Sequence, residues 1–304
     1  MHLPSHGRYD YSGLPRRPVY DWPNGRRLAV YLGLNLEHFA FGEGLGAELG
    51  PGGPQPDVRN FSWRDYGNRV GAWRLLELLD ALRLPASVIV NASLYGYCPE
   101  LLAAFRDRGD EMVGHGRTNS ERQGVLDEEE ERRLIVESTA MLARHEGRPP
   151  AGWLGPWISQ SRVTPDLLKE TGYRYMLDWA MDDQPVWTAT RAGPLLAVPY
   201  PQELNDIPAI VARHMGAEAF ADMIVDNFDE MREQAATAPL VMGIALHAYI
   251  VGQPYRLRHL RRALAHIAAA GDIWITRAGA IAAHVDRLPR GTLPEAPPWP
   301  APAS

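Results

Sequence analysis

Apolar and polar positions along the chain switch between a period of two and a period near 3.6, and the switches mark the elements. Short apolar or alternating runs at 28–36 (LAVYLGLNL), 86–91 (ASVIVN), 111–114 (EMVG), 151–154 (AGWL), 173–177 (YRYML), 195–198 (LLAV), 241–246 (VMGIAL) and 272–275 (DIWI) read as strands. Between them, helical spacing predicts helices over 65–83, 98–108, 127–145, 163–171, 216–236, 256–270 and 276–287. Asp127, with Glu130 three residues on, opens the third of these as a capping box does. Strand–helix units repeated this often predict an α/β fold, a single (β/α) barrel of seven or eight parallel strands. The barrel is expected over 28–288, with an N-terminal arm over 1–27 and a Pro-rich tail over 289–304. The Gly- and Pro-rich stretch 41–62 follows the first strand directly and is expected to cover the C-terminal mouth of the barrel.

Alternation also sorts the polar residues by face. Residues two apart on a strand share a face, so Tyr31, Gly33, Asn35 and Glu37 go together, opposite Leu32, Leu34 and Leu36. Val241, Gly243, Ala245 and His247 go together, opposite Met242, Ile244 and Leu246, and Val113 pairs with His115. The small sets suit a cramped interior and the bulky sets suit the layer against the helices. Three strands thereby deliver Asn35 and Glu37, His115, and His247 to their C-terminal ends, where parallel barrels build active sites. Each also has a structural explanation: a strand-end histidine is often a satisfied wall residue, and Glu37 could pair with an arginine. His38 points away from Glu37 and is expected to support the wall.

Composition narrows the partners. The chain has 304 residues, 45% hydrophobic and 22% charged, enough apolar material for one large core. A net charge of −6, with Lys and Arg scattered, argues against nucleic acid and against an anionic membrane. The single cysteine, Cys98, has no internal disulfide partner, and the opening MHLPSHGRYDYSGLPRRP has no apolar leader, so a cytoplasmic location is expected.

These residues carry a resemblance. From YDWPNGRRLAVYLGLNLEHFAFGEG through GHGRTNS and LDWAMDDQPVW to LHAYIVGQPYRLRHL, the chain resembles the polysaccharide deacetylase superfamily (carbohydrate esterase family 4). It is most similar to the branch of metal-independent allantoinases and cyclic imide hydrolases. The resemblance implies a distorted (β/α) barrel. It places Asn35 and Glu37 where the family has a base and a metal-binding aspartate. His115 and Asn119 stand where it has two metal-binding histidines, and His247 where it has the catalytic acid. GWLGPW, with Trp153, Pro156 and Trp157, matches a groove motif, and Asp178, Asp182 and Asp183 precede Trp187 in an acidic segment.

The departures change the chemistry. Glu37, His115 and a neutral Asn119 form a poor set for zinc, and asparagine cannot act as a base at neutral pH. Two arrangements remain open. In one, Glu37, its pKa raised by burial, activates water, His247 protonates the leaving nitrogen, and His115 with Asn35 or Asn119 steadies the oxyanion. In the other, Glu37, His115 and Asn119 hold one weakly bound divalent metal, zinc or similar, that does the activation. The expected function is hydrolysis of a non-peptide C–N bond in a small cyclic amide, imide or ureide. The alternatives are a metal-dependent N-deacetylase of amino sugars and a non-catalytic descendant that binds a small ligand. Asn119, Trp153, Trp157, Asp178, Asp182 and Trp187 are the expected substrate contacts. The resemblance further implies a homo-oligomer, with Tyr9, Tyr11, Tyr20 and Trp22 of the arm as contact residues.

Overall fold

Parallel strands with both faces covered must be apolar throughout, and the fold grows from the strand that meets this most fully, β1 (Leu28–Leu36), buried at every position. In the computed structural model, which describes residues 5–42 and 56–298, eight further strands join it. They are β2 (Ser87–Val90), β3 (Glu111–Gly114), β4 (Gly152–Trp153), β5 (Tyr175–Met176), β6 (Val186–Thr188), β7 (Leu195–Ala197), β8 (Leu240–His247) and β9 (Trp274–Thr276). The order is β6-β7-β5-β4-β3-β2-β1-β8, with β9 also paired to β1. β8 runs along one edge of β1 from Leu28 to Asn35. The other edge is shared: β9 takes Ala29–Tyr31 and β2 takes Gly33–Leu36.

The sheet curls into the distorted barrel that the pattern predicted, with two differences. One is β6, an antiparallel strand on β7 that carries Trp187 just after the acidic segment. The other is the closure, where single backbone bonds replace a ladder. Val241 N–H donates to Asp183 O at 2.8 Å and Ala245 N–H to Leu204 O at 2.9 Å.

The alternation of β1 and β8 divides the core as expected. Leu32, Leu34, Leu36, Met242, Ile244 and Leu246 pack outward with the helices. Tyr31, Val241 and Ala245 pack inward with Ile89 and Val113. Each buried leucine contributes about 1.5–3 kcal/mol. The interior is cramped: a Cβ on Gly243 would lie 2.9 Å from Pro201 Cδ and 3.0 Å from the Tyr31 ring.

The helix predicted over 65–83 begins earlier. Val58–Tyr66 is capped by Asp57, whose carboxylate accepts from Asn60 N–H at 3.1 Å. It then widens through Gly67–Gly71 and continues as Ala72–Leu82. Gly67 lets the helix lie on the chain after β8, since a Cβ there would sit 2.8 Å from Tyr249 N. This close crossing brings the Val58–Tyr66 helix over the end of β8. The 127–145 helix forms as Glu128–Glu146, with the Asp127 carboxylate accepting from Glu130 N–H at 2.9 Å.

The described part of the N-terminal arm is packed on its own barrel. Arg8 makes a two-pronged bond to Asp166 at 2.8 and 2.7 Å, and Trp22 Nε1–H donates to Leu240 O at 3.0 Å. Tyr20 and Trp22 are buried, while Tyr11 is 95% exposed. Of the Pro-rich tail, residues 289–298 are described, and Leu293 is buried in the inner core. Residues 1–4, residues 299–304 and most of the expected mouth-covering stretch (43–55) lie outside the described residues. No described helix is long and apolar enough to cross a membrane.

Candidate active site

Parallel register builds the site. Leu36, Val90, Gly114 and Trp153 lie in one row across β1, β2, β3 and β4. The residues that follow them, Glu37, Asn91, His115 and Leu154, therefore share the C-terminal rim. On the other side of β1, Asn35 is in register with His247. Glu37 Oε1 stands 3.8 Å from His115 Nε2 and 3.5 Å from His247 Nε2. Asn35, Glu37, His115, Asn119, Trp157 and His247 line one cavity of about 230 Å³, with Tyr200 and Tyr249 among its walls.

Hydrogen bonds to groups of fixed polarity settle the orientations. His115 Nδ1 meets Leu154 O at 2.6 Å. A carbonyl only accepts, so Nδ1 carries a proton and Nε2 is the nitrogen turned toward Glu37. Nε2 is buried without a hydrogen-bond partner among the described residues. His38 N–H can only donate, and it donates to Asn91 Oδ1 at 2.8 Å. Asn91 Nδ2 must then donate to Asn119 Oδ1, at 3.0 Å, and Asn119 Nδ2 donates to Glu37 Oε1, at 2.6 Å. Asn35 Nδ2 donates to Leu246 O at 3.2 Å and to Tyr200 Oη at 2.9 Å, leaving Asn35 Oδ1 without a partner.

These orientations correct two expectations. Asn35 offers no donor to an oxyanion, since its two N–H groups go to Leu246 O and Tyr200 Oη and it presents an acceptor, while Asn119 gives one N–H to Glu37. The Asn119 carbonyl oxygen, taken by Asn91, faces away from Glu37, so the expected metal set of Glu37, His115 and Asn119 does not fit a divalent ion. No group of three or more His, Cys, Asp or Glu among the described residues is placed to hold a metal.

The electrostatics correct a third. Burial alone raises a carboxyl pKa, but in Glu37 this is outweighed by His247 and His115, which hold it well below the usual carboxylate range. Glu37 is thus a stable carboxylate and a poor base. Burial pulls the His247 imidazole down, but Asp206 and Glu37 override this and push it up to about 10. His247 is an imidazolium between two carboxylates.

Asp206 was missed in the sequence. It is fully buried, its Oδ1 accepts from His247 Nδ1 at 2.6 Å, and its Oδ2 accepts from the His247 backbone N–H at 2.7 Å. It lies far from His247 in sequence, at the start of the short wide helix Ile207–Ala212, where no strand pattern marks it. Arg64, Asn91 and Tyr200 were likewise not singled out.

Several predicted contacts lie elsewhere. Trp153 is fully buried and packs edge-on against Tyr173 at 5.4 Å, because it alternates with the cavity residue Leu154 and faces the helices. Gly114 makes room for that indole, since a Cβ there would meet the Trp153 ring at 2.9 Å. Trp187 lines a separate groove beside the tail. Asp182 is paired with Arg17 at 2.6 Å. Asp178 sits behind the cavity, accepting from Gly155 N–H at 2.7 Å, and burial pushes it up to about 7.

Trp157 does reach the mouth, on a strained backbone. It and Ile158 have φ of 64° and 52°, in the left-handed region that β-branched residues rarely enter. Such strain costs about 1–3 kcal/mol per residue and persists where the surroundings enforce it. Here the Trp157 indole N–H donates to Asn119 O at 2.9 Å, tying the ring to the asparagine that holds Glu37. His38, as expected, supports the wall: it bonds Ser93 Oγ at 2.8 Å and stacks on Tyr97.

Fold and rim site together define a class, the curled (β/α) barrels that carry an acid and two imidazoles at the strand ends. Comparison with known proteins shows what the chain is similar to. The family profile described as Polysaccharide deacetylase matches residues 63–176. A Schizosaccharomyces pombe protein that bears a polysaccharide deacetylase name is 26% identical over 297 residues, 88% of this chain and 93% of that protein. A solved structure titled a probable polysaccharide deacetylase from Pseudomonas aeruginosa PAO1 superposes with a TM-score of 0.79 at 29% identity, covering 91% of this chain and 95% of that one. The Puue allantoinase superposes with a TM-score of 0.78 at 27% identity, covering 90% and 93%. The chain is thus similar over most of its length to proteins that bear polysaccharide deacetylase and allantoinase names, and it shares their fold.

Proposed function

We propose that this protein hydrolyses a C–N amide bond other than a peptide bond, in a small cyclic amide, imide or ureide. The observation that carries the reading is a single cavity holding two imidazoles, His115 with an Nε2 that has no hydrogen-bond partner among the described residues and His247 with a charged ring, with Glu37 between them. The proposed sequence begins with a water that donates one hydrogen to His115 Nε2 and the other to Glu37 Oε2. His115 takes a proton as the oxygen adds to the carbonyl carbon. The imidazolium of His247 supplies positive charge beside the developing oxyanion and donates its Nε2 proton to the nitrogen as the C–N bond breaks. Products are a carboxylic acid and the released nitrogen group, which is an amine from an amide, a carboxamide from an imide and a urea group from a ureide, joined in one molecule when the substrate is a ring. Glu37, between the two rings, returns the proton from His115 to His247.

The cavity supports a small substrate, being below the roughly 300–1,000 Å³ that drug-sized ligands occupy. Its aromatic walls suit a planar ring. An allantoinase among the structural relatives supports the same substrate class. We further propose that the enzyme works in the cytoplasm as a homo-oligomer. A panel of cyclic imides, hydantoins, allantoin and N-acetylglucosamine oligomers, offered to the purified protein before and after chelation, tests the reading. Ring opening that survives chelation is expected. Acetate release confined to the amino sugars, or turnover abolished with the loss of a stoichiometric ion, overturns it.

A further inference from the structure

Arg64 lies in the wall of the same cavity and is not used by the proposed chemistry. It is only 2% exposed, with its guanidinium 3.4 Å from the centre of the Phe39 ring. Nε and Nη2 have no hydrogen-bond partner among the described residues. These two atoms form one edge of the guanidinium, with parallel N–H bonds that match the two oxygens of a carboxylate. Burial brings the group down to about 10, which leaves it charged at neutral pH. Tyr249, Glu37 and Asp57 act on it through space, but none accepts from the open edge. Glu37 is committed through Oε1 to Asn119 and faces the two histidines.

A buried cation with an open two-donor edge is expensive unless a ligand completes it. We infer that Arg64 is a specificity residue and that the substrate is anionic: a small amide, imide or ureide carrying a carboxylate, which docks on the Nε–Nη2 edge. This inference rests on the hydrolase reading of the cavity for the amide and adds the second functional group. Phe39 covers one face of the guanidinium, which confines an incoming ligand to the plane of the fork.

Two probes that differ in one group test it: hydantoin-5-acetic acid and its neutral isostere hydantoin-5-acetamide. Binding is measured by calorimetry on the full chain with His115→Gln, which removes the proposed proton acceptor and blocks turnover, and again with Arg64→Met or Arg64→Lys added. The acid is expected to bind about 100-fold more tightly than the amide, as two charge-assisted hydrogen bonds allow. Arg64→Met should bring the ratio to within about 3-fold, and Arg64→Lys, which keeps the charge but loses the fork, should leave about 10-fold. Equal binding of acid and amide, no binding of the acid at millimolar concentration, or a ratio that ignores both substitutions overturns the inference. Thermal melting checks that each variant folds, and if the Met variant does not, the Lys variant decides. Hydrolysis of neutral rings without acid preference would remove the Arg64 assignment and leave the hydrolase reading standing. Acid binding that follows Arg64, with no amide hydrolysed, would do the reverse.

Discussion

Asp206 and His247 are joined twice. One carboxylate oxygen accepts from Nδ1 of the ring at 2.6 Å and the other from the backbone N–H at 2.7 Å. The pair fixes the tautomer, leaves Nε2–H facing Glu37, and holds the ring charged.

Replacing Asp206 with Asn removes the largest influence that favours the charged ring. In the wild type, His247 should show both nitrogens protonated by 15N NMR through neutral pH, with a midpoint near 10. In the variant the midpoint should fall by more than one unit, and the alkaline limb of kcat/KM should move with it. An unmoved midpoint would detach Asp206 from the acid.

The same shifts set the pH dependence of stability. His247 is raised from 6.5 to about 10, so its contribution is complete below 6.5 and is lost as pH rises toward 10. Glu37 is lowered from 4.5, so its contribution is present above that value and is lost as pH falls through the depressed value. The melting temperature should therefore hold between pH 4.5 and 6.5 and decline on both sides. In Glu37→Gln both flanks should flatten, and full retention of the alkaline decline would count against the coupling.

The amide of Asn119 is required to be a donor. Asn119→Asp puts a second carboxylate at hydrogen-bond distance from Glu37, and the two must share a proton. A shared, raised pKa means stability kept at low pH and lost as pH rises. Relative to wild type, the variant's melting temperature should drop progressively from pH 5 to 9, with turnover reduced about 10-fold or more. A constant offset across that range would show that the amide orientation is wrong.

How much of this the sequence displays depends on the element. β1 and β8 are long enough for a period of two to sort their faces, and the parallel ladder turns that into a shared rim for Glu37, His115 and His247. Trp153 was legible too, had it been assigned by alternation with Leu154 rather than by its motif. β6 is three residues long inside a segment of acids and proline, too short for a period to register. Asp206, Asn91 and Arg64 were not legible, because their roles come from contacts across loops and from a helix laid against β8 through Gly67. The charge state of Glu37 depends on two histidines distant in the chain, so burial alone predicts the wrong sign.

The N-terminal arm contributes to stability through a buried pair. Arg8 is 3% and Asp166 0% exposed. Arg8→Met strands the Asp166 charge and should cost about 3–5 kcal/mol in denaturant unfolding, whereas replacing both partners with apolar residues should recover most of it. A loss below about 1 kcal/mol for Arg8→Met would mean that the arm is not anchored there.

Whether His115 and His247 work as proton acceptor and proton donor is decided by single-turnover hydrolysis of a cyclic imide or hydantoin by wild type, His115→Gln and His247→Gln, each shown to melt as a folded protein. Loss of a proton acceptor or a proton donor should each slow bond cleavage by about 10²–10⁴-fold, with the double variant little worse than either single one, as expected of groups that act as a unit. Cleavage at the wild-type rate in either variant would contradict the account.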